Sequence, residues 1–419
     1  MLQRRLDTHE AIPQAGETFS RSWPLMSEVG VLALVPDRWG DLWQSRHHVL
    51  SRLSRYFRVV WVSPSHAWRN TLHAVKAKAH CGIVTPVPPG LTVYEPELWL
   101  PKFYGPPWLR DLTFRIRLKR ALHLLRRQGC KRVILYVWRP QFAPALSLAA
   151  HDLSCYHIVD DYAFAEVNWP LAEAERQVIA DVDQVFIHSP ALLEKKGHLN
   201  THTMFVPNGV DYHAYARAVA EPADLRHIPR PRIGYTGWLK KQLDWPLLSE
   251  LAQRHPEWSF VFVGARNPSH REITGAIEAL ERRQNVYFLG AKPFHELACY
   301  PQHFDVCMMP YRADDYTKYI YPLKLHEYLA SGRPAVGTRI RSLEAFSHVV
   351  TLPHTRQEWA EAIASALQPK ANECVYQSSR QAIAQQHDWD LLVAKIARTM
   401  ATRLGLEEAE MTEQTSVRT

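Results

Sequence analysis

The stretch that most constrains the fold of this chain is Tyr319–Gly337, which has the pattern of a loop, a short helix, a glycine stop and a strand. A short apolar run, Val306–Pro310, precedes it and is typical of a buried strand. Pro322 suits the first turn of a helix, because the N–H that proline lacks is not needed there. Gly332 suits the end of that helix, and Pro334 prevents its continuation. This order predicts a helix whose N-terminus lies at the carboxyl end of a strand, where open α/β sheets bind ligands.

The charged side chains of this helix suit a nucleoside diphosphate. The unpaired N–H groups and the positive end of the helix dipole favour a phosphate, and Lys324 adds a full charge in the first turn. Glu327 lies three residues later on the same face and can accept two hydrogen bonds from a ribose diol. The alternative is a solvated ion pair between the two side chains, worth about 0.2–0.5 kcal/mol.

The segment Pro322–Ala330, with the glycine, proline and valine that follow it, resembles the donor-site signature of GT-B glycosyltransferases. The resemblance is to family-4-like enzymes of bacterial surface-polysaccharide (teichuronic-acid-type) synthesis. It implies that the donor-binding residues of this segment are Tyr321, Pro322, Leu323, Lys324 and Glu327. Two positions depart from the family pattern: Tyr321 replaces an asparagine, and Tyr319 replaces the first glutamate of a Glu-x7-Glu pair.

Two further segments extend the resemblance to both halves of the chain. Phe205–Tyr212 contains the Pro-Asn-Gly-Val-Asp sequence that closes the first domain in these enzymes, and its Asn-Gly pair permits a sharp turn. Arg232–Gly237 predicts a strand that ends in glycine, so that the backbone can approach a diphosphate. Lys240 and Lys241 can reach the same diphosphate, although many relatives have Gly-Arg-x5-Lys here.

Strand-like and helix-like segments alternate along the chain, which is typical of a doubly wound α/β sheet. The further strand-like runs are Val29–Pro36, Arg58–Pro64, Val133–Trp138, Cys155–Asp160, Gln184–Ser189, Ser259–Gly264 and Asn285–Gly290. The resemblance implies the GT-B fold, in which two Rossmann-like doubly wound domains face each other across a cleft. We expect an N-terminal extension (1–27), an acceptor-side domain (28–215), a donor-binding domain (230–385), a helix that returns to the first domain (386–405) and a tail (406–419).

Polar residues of the first half suit the opposite wall of that cleft. Asp160 and Asp161 follow a strand, where a carboxylate can orient an acceptor hydroxyl or stabilise positive charge at the anomeric carbon. Capping of a helix by one of them is the alternative. Trp39, Arg46 and His47 lie in a strand-to-helix loop that can approach a sugar or phosphate on the acceptor side. Packing of the tryptophan, with the arginine on the surface, fits that loop equally well.

The formal net charge of +8 favours an anionic partner. Nucleic acid is not indicated, because the sequence contains no recognisable nucleic-acid-binding module. Residues 65–107 are proline-rich and predicted to be irregular. The next segment, Leu109–Arg127, predicts an amphipathic helix with Leu112 on its apolar side and basic residues, among them Arg117, on the other. Together with the nearby Trp99, this helix is suited to bind an anionic membrane surface. An ordinary amphipathic helix that covers the sheet would have the same pattern of apolar and basic residues.

No metal or other cofactor is expected. The six cysteines are scattered without a CxxC pair, and the 22 histidines form no HExxH motif. No apolar run approaches the ~20 residues that span a bilayer, and residues 1–21 lack the apolar core of a signal peptide. These observations predict a cytoplasmic protein, with the inner face of the cell membrane as a place of peripheral association.

We therefore expect a hexosyl-type glycosyltransferase that moves a sugar from a nucleotide-sugar to a carbohydrate or lipid-linked acceptor in exopolysaccharide synthesis. Retention of anomeric configuration is implied by the family. The helix N-terminus, Lys324 and the Gly237 loop would stabilise the leaving group in place of a metal. Two alternatives stay open: a nucleotide-sugar 2-epimerase of the same fold, and a catalytically degenerate nucleotide-sugar-binding scaffold, which the unusual Trp238 and Tyr319 allow.

Overall fold

The computed structural model describes residues 24–65, 86–102, 105–162, 171–266 and 273–406. Its strands form two parallel sheets, one in each half of the chain. The first sheet contains β1 Met26–Leu34, β2 Phe57–Val62, β3 Leu91–Tyr94, β4 Arg132–Val137, β5 Leu153–Ile158, β6 Gln184–Ile187 and β7 Thr203–Phe205. The second contains β8 Arg232–Thr236, β9 Ser259–Val263, β10 Val286–Phe288, β11 Val306–Met309, β12 Ala335–Gly337 and β13 Val350–Thr351.

The strand orders are β3-β2-β1-β4-β5-β6-β7 and β10-β9-β8-β11-β12-β13. Each order reverses beside the first strand of its sheet, which is the doubly wound arrangement with a ligand crevice at the switch point. The α/β fold class expected from the sequence is thereby confirmed. The predicted strands agree with the observed ones within three residues at their ends, but β7 and β13 are not predicted, and residues 65–107 are not wholly irregular. They contain β3, a four-residue edge strand paired with β2.

Helices connect the strands and cover both sheets. In chain order they are α1 Ser45–Leu53, α2 Pro107–Arg127, α3 Ala145–Leu148, α4 Leu171–Asp181, α5 Pro190–Lys196, α6 Tyr212–Ala216, α7 Trp245–Arg254, α8 Thr274–Glu281, α9 Phe294–Leu297, α10 Leu323–Ala330, α11 Arg341–Glu344, α12 Arg356–Ala366, α13 Cys374–Gln386 and α14 Trp389–Arg403. In the part of the chain that the structure describes, none of them has the length and hydropathy required to cross a bilayer.

The central strands are apolar throughout because helices cover both faces of a parallel sheet. In β1 the buried side chains alternate between two layers. Val31 and Ala33 join one core with α1 and α14, whereas Leu32 and Leu34 join the other core with α2. This alternation follows from the two-residue period of a strand.

The last helix, α14, follows the second sheet in sequence but packs into the core of the first. Trp389, Ile396 and Met400 are buried among first-sheet residues. At the start of this helix the Val210 N–H donates to the His387 carbonyl (3.0 Å), and the Trp389 N–H donates to the Val210 carbonyl (2.9 Å). The chain therefore passes between the domains twice, and the two crossings are hydrogen-bonded to each other.

Candidate active site

The helix at the centre of the sequence analysis, α10, begins close to where its sequence predicts. Pro322 is the residue before the first turn rather than within it, so the helix starts one residue later, at Leu323. At the other end Gly332 adopts φ +74° and donates its N–H to the Leu329 carbonyl (3.0 Å), which ends the helix. Because β11 ends at Met309, the N-terminus of α10 lies at the carboxyl edge of the second sheet.

Lys324 projects from the first turn of α10 across the end of β8. Its Nζ lies 3.3 Å from the Tyr311 hydroxyl and 4.9 Å from the centre of the Tyr235 ring. Gly237 has φ +119°, and a Cβ added there would lie 3.2 Å from Lys324 Nζ. Glycine at this position therefore permits both the backbone conformation and the close approach of the ammonium group.

Lys240, in the loop after β8, is the second cation of the site. Burial and, to a smaller extent, the positive charge of Lys324 lower the pKa of Lys240 to about 8, against the opposing charge of Asp160. Within the described residues neither of these two lysines forms a salt bridge. Two neighbouring cations without a neutralising ion pair favour the binding of an anion between them.

Glu327 lies one turn after Lys324 and is partly buried. Burial raises the pKa of its carboxyl group, while the charge of Lys324 and the hydroxyl of Tyr215 oppose that rise. The described residues include no salt bridge between Lys324 and Glu327, so the surface ion pair that their spacing allows is not formed. The carboxylate therefore retains acceptor capacity for a ligand.

The two aspartates after β5 point to different surroundings. Asp160 faces the second domain, where its Oδ2 accepts a hydrogen bond from the Tyr316 hydroxyl (3.1 Å). Burial raises the pKa of Asp160, against the hydrogen bonds from the Asp161 N–H and Tyr316 and the charge of Lys240. The Asp160 carboxylate thus lies in the cleft, close to the cationic side.

Asp161 is fully buried inside the first domain. Its two oxygens lie 2.6 Å from Lys195 Nζ and 2.9 Å from Lys196 Nζ, and Lys196 also pairs with Glu175 at 2.6 Å. Burial alone would raise the pKa of Asp161, but the two ammonium groups outweigh it and hold that pKa below its usual range. The structure therefore separates the two sequence candidates: Asp160 lines the cleft, whereas Asp161 belongs to a buried ion network.

The loop between β11 and α10 packs against the first domain. Tyr319, which occupies the family's glutamate position, has its ring 4.7 Å from Lys195 Nζ. The Asn208 side-chain amide donates to the Tyr321 carbonyl (2.6 Å), while the Tyr321 hydroxyl lies 2.8 Å from His326 Nε2 in the core. Tyr321 therefore takes part in the interdomain contact through its backbone, and its side chain is structural.

The predicted acceptor-side residues are buried. Trp39 is 5% exposed, Arg46 4% and His47 0%. Arg46 pairs with Asp37, so the alternative with this arginine on the surface is wrong. His47 Nε2 lies 3.3 Å from the Arg38 carbonyl, and burial lowers the pKa of His47 to about 4. Trp39 lies in the loop after β1, whereas Arg46 and His47 belong to the first turn of α1 rather than to the predicted loop, and all three are buried in the first domain.

The remaining predicted donor-site residues lie around α10 and the loop after β8. Pro322 is buried, Leu323 packs against the core of the first domain, and Lys241 is partly buried beside Lys240. Sequence reasoning missed Tyr316 as the partner of Asp160. It also missed Arg139, whose positive charge lowers the pKa of Asp160. Arg139 is the second residue after β4, so the strand-end rule that identified the aspartates would have found it.

The described residues contain no group of three or more His, Cys, Asp or Glu side chains that could hold a metal ion. The cationic groups of Lys240 and Lys324 lie at the edge where a diphosphate is expected. These two ammonium groups are suited to bind the phosphates directly.

The two facing parallel sheets, with a charged crevice at their carboxyl edges, define a GT-B protein. Residues 230–369, in the second domain, match the family model described as "Glycosyl transferases group 1". This match confirms the resemblance that the α10 segment indicated. A candidate glycosyltransferase of teichuronic acid biosynthesis, TuaH of Bacillus subtilis (strain 168), is 28% identical over 242 residues. The match covers 54% of this chain, and the chain spans 59% of the length of that relative.

Solved structures agree on the architecture. The Anabaena Alr3699/HepE structure in complex with UDP and glucose superposes with a TM-score of 0.65 at 16% identity, covering 90% of this chain and 100% of the other. The E. coli trehalose-6-phosphate structure bound with UDP-2-fluoro glucose has a TM-score of 0.62 at 14% identity, covering 90% and 99%. At these identities the likeness shows the fold, which is GT-B.

Proposed function

We propose that this protein is a glycosyltransferase that transfers a sugar from a nucleotide-sugar to a saccharide or lipid-linked acceptor in cell-surface polysaccharide synthesis. The observation that carries the proposal is the pair of neighbouring cations, Lys240 and Lys324, which form no salt bridge within the described residues and lie close to the Asp160 carboxylate in the cleft. The group 1 domain and the polysaccharide role in the name of the Bacillus relative support it. The cytoplasm, or the cytoplasmic face of the membrane, is the proposed place of the reaction.

Each part of the site has a role in this reaction. The N-terminus of α10, Lys324, Lys240 and the backbone at Gly237 would bind the diphosphate and stabilise its charge as the glycosidic bond to the leaving group breaks. Glu327 would accept hydrogen bonds from the ribose diol. Asp160, on the opposite wall, would stabilise the positive charge that develops at the anomeric carbon or orient the acceptor hydroxyl. Retention of configuration is part of the proposal by analogy with the family.

Tyr319 keeps a catalytically degenerate scaffold as a second candidate, because its ring packs on Lys195 where relatives have a carboxylate. Incubation of the pure protein with a panel of nucleotide-sugars separates the candidates. A transferase releases free nucleoside diphosphate by slow hydrolysis, and release accelerates when the acceptor is added. Binding without turnover would favour the scaffold, and isomerisation of the sugar would favour a 2-epimerase.

The proposal assigns the leaving-group charge to side chains and backbone rather than to a metal. Nucleotide release should therefore continue at an unchanged rate after treatment with EDTA. The measurement compares rates with EDTA, and with added Mg²⁺ or Mn²⁺, in the same enzyme preparation. Loss of release with EDTA and its rescue by a divalent ion would contradict this assignment.

A further inference from the structure

One face of α2 is exposed and combines large apolar side chains with cations. It contains Trp108, Leu112, Arg115, Lys119, His123 and Arg126. These residues follow one another at intervals of three or four, so they form one continuous stripe along the helix. Trp108 is 66% exposed and Leu112 47%, and the neighbouring Trp99 is 63% exposed. We call Trp99 and this stripe the α2 face.

The orientation of α2 differs from the sequence prediction at two positions. Leu112 was expected on the apolar side against the sheet, yet it is exposed. Arg117 was expected on the basic surface, yet it is buried and donates its Nε to the Thr113 carbonyl (3.2 Å). The helical spacing of the apolar residues is compatible with the predicted and with the observed orientation of α2. The orientation is set by packing against the sheet, here through Leu118, Leu122 and Leu125.

The charge of α2 identifies the kind of surface that it fits. Its sequence contains seven lysines and arginines and one acid, Asp111, which already pairs with Arg110 at 2.9 Å. Exposed aromatic side chains beside a cationic helix face suit the interface of an anionic bilayer, where the rings lie at headgroup level and the cations meet phosphates. We propose that the α2 face docks this protein on an anionic membrane surface.

The direction of α2 relates this surface to the cleft. Near its C-terminus the Gln128 side chain donates to Thr92 Oγ1 (2.9 Å) in β3, while Glu97, just after β3, pairs with Arg120. The helix thus runs antiparallel to the strands, and Trp108 lies at their carboxyl edge, as Asp160 does. β3 and β5 are four positions apart in the sheet, which corresponds to roughly 20 Å. A docked molecule would hold its cleft close to the bilayer, an orientation that matters only if the proposed transfer uses a lipid-linked acceptor.

Vesicle sedimentation tests the docking surface itself. The full-length protein should bind vesicles made of equal parts phosphatidylglycerol and phosphatidylcholine, should bind much less to pure phosphatidylcholine, and should dissociate as salt rises. Replacing Arg115, Lys119 and Arg126 together with Gln should weaken binding on the order of 100-fold. A matched triple on the second domain, Arg226→Gln with Arg282→Gln and Lys370→Gln, removes the same charge from exposed positions and should leave binding unchanged.

A second variant tests the aromatic side chains of the α2 face. Trp99→Ser with Trp108→Ser should reduce binding even at low salt, because the charges remain while the inserted rings are lost. Equal binding to neutral vesicles, binding to neither, or an equal loss in the control triple would overturn the proposal. A dimer in sedimentation velocity that Trp108→Ser abolishes, without vesicle binding, would instead assign the face to a second copy and also overturn it.

All of these positions are exposed, so the thermal unfolding of each variant should match the parent. Nucleotide release in solution should also be unchanged in each. Failure of vesicle binding with normal release would therefore reject the membrane surface and leave the proposed transfer standing. Failure of nucleotide release with normal vesicle binding would reject the proposed transfer and leave the membrane surface standing.

Discussion

The carboxyl edges of the two sheets face the same cleft but differ in the pairing of their charged side chains. On the first sheet Arg46 pairs with Asp37, and Asp161 pairs with Lys195 and Lys196. On the second sheet Lys240 and Lys324 lie near each other, and within the described residues neither has an ion-pair partner. An edge that neutralises its own charges provides a rigid wall, whereas an edge that leaves like charges together is prepared for an anion. Asp160 and Arg139 are exceptions on the first sheet, because within the described residues neither forms a salt bridge, and Asp160 faces the second domain.

The largest expected effect is on stability, at Asp161. Asp161→Asn removes the charge that holds two ammonium groups, one of them buried, and should lower the free energy of unfolding by roughly 3 kcal/mol. Chemical denaturation measures this change, while nucleotide release per folded molecule should stay normal. Asp315→Asn is the control, because that side chain is 78% exposed and should change stability by less than about 0.5 kcal/mol. A stable Asp161→Asn protein without activity would place Asp161 in the reaction and break the comparison.

Asp160→Asn should have the opposite outcome. It keeps the shape of the side chain and removes the cleft charge, so turnover should fall by ~100-fold or more while nucleotide affinity changes little. Steady-state kinetics and calorimetric titration measure the two quantities. The Asp315→Asn variant again serves as the control, since Asp315 is in the loop that contacts Asp160 but outside the cleft. Poor folding with normal specific activity would show that Asp160 is structural, like its neighbour.

Lys324 and Glu327 should differ in the part of the ligand that they bind. Lys324→Ala should weaken nucleoside diphosphate binding by about 1–3 kcal/mol and leave the bare nucleoside unaffected, because a charge-assisted contact to phosphate is lost. Glu327→Ala should weaken both ligands, since the ribose belongs to both. Calorimetry of each variant with each ligand separates these outcomes. The exposed Lys318 offers a matched control, Lys318→Ala, and parent-like binding by all variants would place the donor elsewhere.

The smallest effect is the pH dependence of Lys240. Its pKa of about 8 in the free protein should rise when a diphosphate neutralises the site, so binding requires proton uptake above that pH. Affinity for nucleoside diphosphate should be constant from about pH 7 to 8 and then weaken by up to tenfold per pH unit until the pKa of the bound state is reached. Calorimetry in two buffers of different ionisation enthalpy measures the uptake. Lys240→Met should abolish it, and uptake that persists in this variant would assign the proton to another group.

The sequence contained most of the fold, because strands buried on both faces are continuous apolar runs that need no partner to be recognised. The three missed strands, β3, β7 and β13, have two to four residues each and lie at sheet edges, where this pattern is weakest. The glycine at 332 and the proline at 322 placed α10 within one residue, since each has a specific backbone requirement.

The site was less accessible to sequence reasoning. Successive residues at a strand end point to opposite sides, so the sequence identified Asp160 and Asp161 as a pair but could not decide which faces the cleft. The hydrogen bond from Tyr316 to Asp160 joins residues 156 positions apart in different domains, and no local pattern encodes it. The burial of His47 was equally hidden, because a histidine between polar residues has the pattern of an exposed loop.

The return of α14 to the first domain has a consequence for synthesis on the ribosome. The core of the first sheet needs Trp389, Ile396 and Met400, yet these residues are made after the whole second domain. At roughly 5–20 residues per second, the nascent first domain waits about ten seconds or more with an apolar groove uncovered. During this interval the groove is a binding surface for chaperones and for other unfinished chains. Maturation of the protein is thus governed by its last helix, and the first domain to emerge is the last to be completed.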